Sequence, residues 1–398
     1  MSKISTLLFV LTMISGLYWV WALACVSAFR RRPAPASQYV PPVSVLKPLQ
    51  GDDGQLYANL RSFCRQDYPE YEILFGVEDA DDPATAIVHR LIREFPCLDI
   101  SLVIGGPLLG TNRKVSNLAH LCRRARYDTL VLADGDMRVG RDYLGAVVAP
   151  LNDPAVGAVT CSYRGSAPAG VWSTLGAMFI NEWFLPSVLV AARLEPMRHA
   201  FGATIGLRRS TLASIGGFEA LADYLADDYM LGRLISGRGL RVVLSSYVVE
   251  NVVVEPDLRT LFYHELRWTR TVRSVRPVSY SLSAVTHGIP LALLLLLSAG
   301  PTPLALSSLL LHLGLRCGGR VLLYRRLNQA VPWPSALLVP VRDVLSFILW
   351  ALSFLGQDIR WSGRRLRIQA DGKLRRALPS ELPRPVNAPA EAASLGRK

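Results

Sequence analysis

A run of 25 residues without a charged side chain, near the start of the sequence, most constrains how this chain can fold. The run is ISTLLFVLTMISGLYWVWALACVSA, residues 4–28. As an α-helix it is long enough to cross a bilayer core of about 30 Å. The uncharged core of a cleaved signal peptide has roughly 7–15 residues and ends at a small-residue cleavage site. Phe29 and three arginines follow this run instead, so we interpret residues 1–32 as an uncleaved membrane anchor.

Two features indicate that the chain after the anchor lies in the cytoplasm. The arginines at 30–32 outnumber Lys3 on the other side of the anchor, and basic flanks favour the cytoplasmic face of a membrane. The six cysteines are scattered and form no CxxC pair. This pattern argues against a zinc site or a disulfide framework, and it fits a reducing compartment.

The sequence has a formal net charge of +13, and its last segment carries much of this charge. Residues 358–398 contain ten Lys or Arg and four Asp or Glu, a net charge of +6. Nucleic acid is a common partner of basic chains, but these charges lie beside apolar segments. We therefore predict a basic cytoplasmic tail that is attracted to anionic lipid headgroups, and no nucleic-acid partner.

A proline-rich linker at 33–42 leads from the anchor into a region where short apolar segments alternate with helical patterns. Asp82 followed by Pro83 predicts the start of one helix, and Asn112 predicts the start of another. This alternation predicts a mostly parallel sheet covered by helices on both faces, so we expect an α/β domain over residues 43–276. The predicted strands are residues 43–46, 72–77, 100–104 and 129–133.

Beyond this domain the sequence becomes apolar again, which predicts a C-terminal membrane region over residues 277–357 with about two to four helices. Residues 287–315 are long enough for two short spans that turn at a Gly-Pro pair. The next apolar segment, 334–356, contains Arg342 and Asp343. These residues are either a buried pair of charges or part of a re-entrant or interfacial hairpin. Arginines on both flanks favour the hairpin.

An internal segment, residues 171–191, is apolar enough to resemble a membrane span. Asn181, Glu182 and Pro186 lie near its middle, and polar groups there make spanning costly. We expect this segment to pack on the α/β domain or to dip into the membrane interface.

Negatively charged side chains follow two of the predicted strands. Asp134 and Asp136 follow the strand at 129–133, and Asp79 follows the strand at 72–77. Ligands of such sheets bind beyond the carboxyl ends of the strands, so we expect these carboxylates at one rim. Asp134 and Asp136 either form a turn or bind Mg²⁺ or Mn²⁺ on a diphosphate. Asp79 is a candidate to accept hydrogen bonds from a nucleoside.

Two later segments each have a structural and a functional interpretation. Asp227 and Asp228 are either acidic residues at a helix N-terminus or a source of a carboxylate that removes a proton from an alcohol. Arginines recur every three residues from Arg267, which is typical of a basic helix that faces a membrane. The alternative is that Arg267 binds a phosphate beside the flat apolar wall of Trp268.

Five stretches of the chain together carry a family resemblance. They are VLKPLQGDDGQLYANLRSFCRQDYPEYEILFGVEDADDPA, NRKVSNL, ADGDMRV, GGFEALADYLADDYMLG and HELRWTR. In this order they resemble the ceramide glucosyltransferase family, over about residues 40–370. The resemblance implies a membrane-anchored, inverting glycosyltransferase with a GT-A fold, a UDP-sugar donor and a divalent metal, Mg²⁺ or Mn²⁺.

The resemblance also implies roles for individual residues. Asp228 corresponds to the catalytic base, and Asp134 falls in the metal- and diphosphate-binding segment with Asp136 beside it. The implied substrate-binding residues are Asp79 near the uridine, Lys114 and Arg267 as cations for the diphosphate, and His264 and Trp268 of the Q/R-x-x-R-W motif.

Departures and finer similarities bear on the acceptor. His264 stands where the family motif has Gln or Arg, and residues 179–187, FINEWFLPS, lack a histidine that animal ceramide enzymes carry. The second departure argues against ceramide. FGATIGLRR and FINEWFLPSVLVA resemble bacterial enzymes of hopanoid biosynthesis. The main prediction is therefore transfer of N-acetylglucosamine or glucose to bacteriohopanetetrol by an integral protein of the bacterial inner membrane.

Other functions remain open at this point. The same chemistry suits ceramide, diacylglycerol or a growing polysaccharide as acceptor, although too few clear spans exist to line a pore for a polymer. A different class is a membrane-tethered protein that binds a UDP-sugar without turnover. Asp228 and the R-W motif count against that class, because binding alone needs no base.

Overall fold

The computed structural model describes residues 2–30, 39–361, 363–369 and 371–376. Three sequence predictions lie wholly or partly outside these residues. They are the basic flank of the anchor at 31–32, most of the linker at 33–42, and the part of the basic tail at 377–398.

The described residues form helices and strands in alternation, and then a mainly helical C-terminal region. The helices are α1 (Lys3–Arg30), α2 (Leu56–Phe63), α3 (Ala84–Glu94), α4 (Arg113–Arg124), α5 (Tyr143–Val148), α6 (Val171–Phe179), α7 (Leu185–Leu194), α8 (Arg209–Ser214), α9 (Asp227–Gly237), α10 (Leu258–Val275), α11 (Pro277–Leu282), α12 (Gly288–Ala299), α13 (Pro303–Arg326) and α14 (Val339–Ser353). The strands are β1 (Val43–Pro48), β2 (Tyr71–Val77), β3 (Asp99–Ile104), β4 (Thr129–Ala133), β5 (Met137–Arg138), β6 (Val156–Ser166), β7 (Thr204–Arg208), β8 (Arg241–Val252), β9 (Asp358–Trp361), β10 (Arg364–Ile368) and β11 (Leu374–Arg376).

The central sheet has eight strands in the order β3-β2-β1-β4-β7-β6-β8-β5. The four predicted strands are β1 to β4, and their pairings are all parallel, which confirms the parallel half of the sheet. In the other half, β7 is antiparallel to both β4 and β6, and β5 is antiparallel to β8. Because β2 and β4 both run parallel to β1, their carboxyl ends lie at one rim.

Helices cover both faces of the sheet, as the alternation predicts. Side chains alternate along a strand, so neighbouring residues face opposite sides. Accordingly Val45 packs in one apolar cluster with α2 and α3, whereas Leu46 packs in another with α4 and α9. The predicted helix starts also form, since Asn112 Oδ1 accepts a hydrogen bond from Val115 N, and Asp82 Oδ1 accepts one from Ala84 N.

Several helices are long and apolar enough to cross a membrane. By length and composition alone, the described residues contain four candidate spans, or up to five if a bent pair counts as one span. The candidates are Lys3–Phe29, Val171–Leu194, Pro303–Arg326, Trp333–Ser353 and the bent pair Pro277–Thr286 with Gly288–Ala299. Helix α1 packs against α7, α12 and α13, so the N-terminal and C-terminal apolar helices form one bundle.

The hairpin predicted at 334–356 is wrong, because Trp333–Ser353 is one continuous helical segment. Arg342 and Asp343 are instead buried charges, the alternative to the hairpin, and each is neutralised by a partner from another segment. Arg342 binds both oxygens of Glu265 at 2.7 Å, and Asp343 binds Arg316 at 2.7 Å. These partners are distant in sequence, so the local pattern did not indicate them.

The apolar segment at 171–191 packs inside the protein, which is one of the two placements we expected. It forms α6, a π-helical turn and α7, and 72% of its apolar window is buried. Asn181 exchanges hydrogen bonds with the backbone of Gly165 in β6. Glu182 forms ion pairs with Arg316 and Arg320.

Part of the segment predicted as a basic tail is folded. Residues 358–376 contribute β9, β10 and β11, which form an antiparallel sheet with the order β11-β10-β9. Leu366 and Leu374 of this sheet pack against Leu225, and Leu374 N donates to Asp223 O at 2.7 Å. We call β9–β11 the small sheet. Its apolar residues alternate with arginines, so one face packs on the α/β domain.

Candidate active site

A cavity of about 1010 Å³ lies at the carboxyl ends of β2 and β4. Every residue that the sequence singles out for the site lines this cavity. They are Asp79, Lys114, Asp134, Asp136, Asp228, His264, Arg267 and Trp268. The chain therefore brings together side chains from five separate segments at the rim where ligands of such sheets bind.

Asp134 and Lys114 form the ion pair at the centre of the cavity. Lys114 lies in the first turn of α4, and its Nζ is 2.6 Å from Asp134 Oδ1 and 3.9 Å from Asp227 Oδ2. Burial disfavours the charged lysine, but the carboxylates of Asp134, Asp227 and Asp228 outweigh it and raise the pKa of Lys114. Lys114 is therefore a permanent cation at the rim.

Asp136 lies in a tight turn and faces the cavity as well, so its two interpretations are compatible. Asp136 lies in the short connection between β4 and β5. A hydrogen bond from Met137 N to Asp134 O, at 3.4 Å, closes this turn. Asp136 Oδ2 accepts a hydrogen bond from Asn251 Nδ2 at 2.7 Å. Burial raises the pKa of Asp136, and the charge of Asp134 raises it further.

Asp228 lies in the first turn of α9, and backbone N–H groups hold its carboxylate. Its Oδ2 accepts from Gly202 N at 2.6 Å, and its Oδ1 accepts from Tyr229 N at 2.7 Å. Burial and the neighbouring charge of Asp227 raise the pKa of Asp228 to about 6. A carboxylate with a pKa near neutrality is suited to accept a proton, because it is mostly ionised at pH 7 and still basic.

Gly202 allows the charged groups to approach one another. A Cβ atom at this position would lie 3.2 Å from Asp228 Oδ2, and 3.4 Å from both Asp134 Oδ2 and Lys114 Nζ. A side chain here would occupy the space between these three groups. Gly202 of the FGATIG segment thus donates a hydrogen bond to Asp228 and leaves space between the three charged groups.

Helix α10 carries His264, Arg267 and Trp268 into the cavity. Burial lowers the pKa of the Arg267 guanidinium, while Asp134 and Asp136 oppose this shift. The ring of Trp268 lies 4.4 Å from that of His264 and 5.9 Å from that of Phe179, between centroids. His264 Nδ1 is 2.6 Å from Glu255 Oε1.

The interpretation of α10 as a basic helix that faces a membrane is wrong for the two arginines that follow Arg267. Arg270 donates to Leu355 O and Asp358 O, and Arg273 donates to Gly356 O. Since these carbonyls precede or begin the small sheet, that face of α10 is covered by protein.

Asp79 lies at the edge of the cavity, one residue beyond Glu78. It is exposed, and its Oδ1 accepts from Asp81 N at 3.2 Å. Glu78 forms an ion pair with Arg113 of α4. The outer end of the cavity is therefore open and polar.

Sequence reasoning missed Lys47, which is fully buried beneath the cavity. Its Nζ donates to Asp134 O at 2.7 Å and lies 3.5 Å from the centroid of the Phe63 ring. Burial lowers the pKa of Lys47 to about 7, against the attraction of Asp134 and Asp136. The sequence did contain a signal for this residue, because Lys47 is the one charged residue in the apolar stretch VSVLKPL. Asn251 and Glu255 were missed too, because their roles depend on contacts between distant segments.

The carboxylates fit a divalent cation only in part. Asp134 and Asp136 offer the hard oxygen atoms that Mg²⁺ and Mn²⁺ prefer. The described residues contain no group of three or more His, Cys, Asp or Glu side chains arranged to hold a metal ion. A cation bound here would take its remaining ligands from a diphosphate and water.

The mixed sheet with an acidic rim at the carboxyl ends of β2 and β4 defines a GT-A-type domain, which confirms the expected fold class. The chain belongs to glycosyl transferase family 21, whose model matches residues 7–374.

Similar proteins agree with this assignment. Ceramide glucosyltransferase 3 of Caenorhabditis elegans is 28% identical over 212 residues, which are 52% of this chain and 45% of that protein. Ceramide glucosyltransferase 1 of the same organism is 26% identical over 258 residues, 64% of this chain and 55% of that protein. The chain thus aligns with about half the length of these relatives.

One solved structure has the same fold over most of the chain. It is the mannosyltransferase PcManGT from Pyrobaculum calidifontis in complex with GDP-Man and Mn²⁺. The TM-score is 0.55 at 20% identity, and the match covers 87% of this chain and 99% of the other.

Proposed function

We propose that this chain is a membrane-bound, inverting hexosyltransferase that transfers a sugar from a UDP-sugar to a lipid hydroxyl. The observation that carries the proposal is the charge pattern of the main cavity. Asp134, Asp136, Asp227 and Asp228 converge there with Lys114 and Arg267. Membership of glycosyl transferase family 21 supports the reaction class.

Asp228 is the proposed base. In an inverting transfer, the acceptor oxygen forms a bond to the anomeric carbon as the bond to the diphosphate breaks. The acceptor proton then passes to a carboxylate oxygen of Asp228, whose pKa of about 6 suits it to this role. A positioned base of this kind contributes about 10²–10⁴-fold to a rate.

The proposed role of the cationic groups is to stabilise the departing diphosphate. Arg267 and Lys114 are half-buried cations beside the carboxylates, where electrostatic interactions are stronger than in water. Asp79, at the open end, would accept hydrogen bonds from the nucleoside. Trp268 would form a flat apolar wall.

Asp134 and Asp136 are the residues that would hold Mg²⁺ or Mn²⁺. Such a cation would neutralise negative charge on the diphosphate as it leaves. The raised pKa of Asp136, caused by burial and by Asp134, supports this role, because a bound cation would relieve the repulsion.

We propose ceramide as the first acceptor to test. Two of the relatives are named ceramide glucosyltransferases, whereas the comparisons give no support for a hopanoid acceptor. Bacteriohopanetetrol, the main prediction from sequence, remains the second acceptor. We place the catalytic domain at the cytoplasmic side of a membrane that α1 and the C-terminal helices span, which in a bacterium is the inner membrane.

The test uses the full chain purified in detergent. UDP-glucose and UDP-N-acetylglucosamine are each combined with ceramide or bacteriohopanetetrol, and lipid-dependent UDP release and the glycolipid mass are measured. We expect one combination to turn over, and Asp228→Asn to reduce its kcat by about 10²–10⁴-fold while UDP still binds. Unchanged turnover in Asp228→Asn would remove this residue as the base. Binding of UDP-sugar without transfer to any lipid would favour the non-catalytic class.

A further inference from the structure

A second, smaller cavity adjoins the main one on the side of the apolar helices. Its volume is about 420 Å³. It shares Asp136, Arg267 and Trp268 with the main cavity, but Asp79 and Lys114 line only the main cavity. It therefore opens from the reaction centre in a direction away from the end proposed for the nucleoside.

The far wall of the second cavity leads to the membrane-type helices. Gly176 and Ile180 of the buried 171–191 segment line it, together with Leu261 of α10. Leu261 belongs to an apolar cluster that includes Ile289 of α12 and Val339 of α14. The second cavity therefore borders the side of the domain on which the apolar helices pack.

Among the polar residues that line this cavity, Glu255 is buried and has only one of its two carboxylate oxygens hydrogen-bonded. Its side chain is 3% exposed, and its Oε1 is bound to His264 Nδ1. Its Oε2 is buried and has no hydrogen-bond partner among the described residues. A buried acceptor without a partner is costly, so a ligand that donates a hydrogen bond to Oε2 would be strongly favoured.

The pair of Glu255 and His264 selects for hydroxyl donors. An ionised carboxylate only accepts hydrogen bonds, so His264 Nδ1 must be the donor in their contact. The remaining carboxylate oxygen, Oε2, suits a hydroxyl donor, whereas the carboxylate would repel a diphosphate. His264 is thus better placed for the acceptor than for the phosphate-side role that its motif suggests.

The segment that carries Glu255 is held against α6. Glu255 N donates to Ser173 Oγ at 2.9 Å, and Val253 packs against Gly176 so closely that a Cβ there would lie 2.8 Å from Val253 Cγ1. On the opposite side Trp361 of the small sheet lines both cavities. The cavity wall is therefore built from fixed elements.

We propose that the second cavity binds the headgroup of the lipid acceptor, and that Glu255 accepts a hydrogen bond from a hydroxyl other than the one that is glycosylated. This inference rests on the proposed function. It names the ligand class as a lipid with at least two hydroxyls, and it makes Glu255 a residue that determines specificity.

The experiment pairs a protein change with a lipid change. Wild type and Glu255→Gln, as full chains in detergent, are assayed with ceramide and 3-deoxyceramide. If bacteriohopanetetrol is the lipid that turns over, it is compared with a hopanoid that has one terminal hydroxyl. We expect wild type to lose about 10–100-fold in kcat/KM for the lipid without the second hydroxyl. Glu255→Gln should lower kcat/KM for the lipid with both hydroxyls by a similar factor. Its kcat/KM values for the two lipids should then be nearly equal.

Two controls separate the possible failures. Glu250→Gln changes a carboxylate of β8 that binds Arg164 and lies outside both cavities, so it should keep wild-type discrimination. The KM for the UDP-sugar should stay unchanged in Glu255→Gln. If Glu255→Gln does not fold, the comparison of the two lipids with the wild-type protein still tests whether the second hydroxyl is recognised. Equal kcat/KM for both lipids would overturn this inference alone, whereas no transfer by wild type to any lipid would overturn the proposed function.

Discussion

Two clusters of buried charge lie about α10, and they differ in how well they are neutralised. Among the apolar helices, Arg316, Arg320 and Arg342 face Glu182, Asp343 and Glu265, so cations and carboxylates balance. In the inner part of the main cavity, carboxylates face the cations Lys114 and Arg267, with Lys47 below; the carboxylates are those of Asp134, Asp136, Asp227 and Asp228. The balanced cluster completes itself within the protein. The unbalanced one keeps an excess of negative charge, which a divalent cation bound together with a diphosphate would offset.

The balanced cluster also joins the membrane-type helices to the catalytic domain. Arg342 of α14 binds Glu265 of α10 with two hydrogen bonds, and α10 also carries Arg267 and Trp268. The position of α10 at the candidate active site therefore depends on a contact with the apolar bundle.

The largest effect should come from breaking the balanced cluster. Arg342→Met leaves Glu265 buried without its partner, so we expect a loss of about 3–5 kcal/mol in unfolding free energy. Arg342→Met combined with Glu265→Leu should recover most of it, because both charges are then removed. Thermal unfolding in detergent measures the stability of both variants.

Arg141→Met, in the exposed pair with Asp67, is the control and should leave the melting temperature unchanged. Similar melting temperatures for Arg342→Met and the control would show that the cluster does not stabilise the bundle.

A smaller effect should follow from filling the space beside Gly202 in the unbalanced cluster. Gly202→Ala places a methyl group between Asp228, Asp134 and Lys114, so we expect kcat to fall about 10–100-fold. The melting temperature should change little, because one methyl group meets only the ends of side chains. Gly145→Ala in α5, where a Cβ would meet no atom within 4 Å, is the matched control and should keep full activity. Full activity in both variants would place the reaction elsewhere.

The smallest effect is on the pH dependence of turnover. Burial, and then Asp227, raise the pKa of Asp228 to about 6. The base is ionised above this pKa, so kcat should be constant near pH 7–8 and fall about tenfold per unit below about pH 6. Asp227→Asn removes a negative neighbour, which lowers the pKa of Asp228 and moves the acid limb to lower pH. A pH–rate profile of both proteins tests this, and an acid limb that stays in place would exclude the effect of Asp227.

The two clusters differ also in how far the sequence predicts them. The rim was predictable because Asp79, Asp134 and Asp136 directly follow apolar strands, and parallel strands bring their ends together. The balanced cluster was not predictable, since Arg342 and Glu265 are 77 residues apart. In the local sequence, each is only a charged residue that interrupts an apolar or amphipathic pattern. The hairpin prediction rested on the flanking arginines, which do not indicate that Arg342 and Asp343 have buried partners elsewhere in the chain.

The small sheet and the Glu255 contact were missed for a similar reason. Short strands such as Arg364–Ile368 have weak local signals, and Leu366 becomes a core residue only beside Leu225. Glu255 acquires a role only when α10 brings His264 to it.

The central claim is that the unbalanced rim holds a cation together with a nucleoside diphosphate. Titration calorimetry of UDP into the full chain, with Mn²⁺ or Mg²⁺ and then with a chelator, tests it most directly. We predict binding that weakens at least about tenfold without the cation, and that is lost in Asp134→Asn even when the cation is present. Equal UDP affinity with and without the cation, unchanged in Asp134→Asn, would contradict the claim.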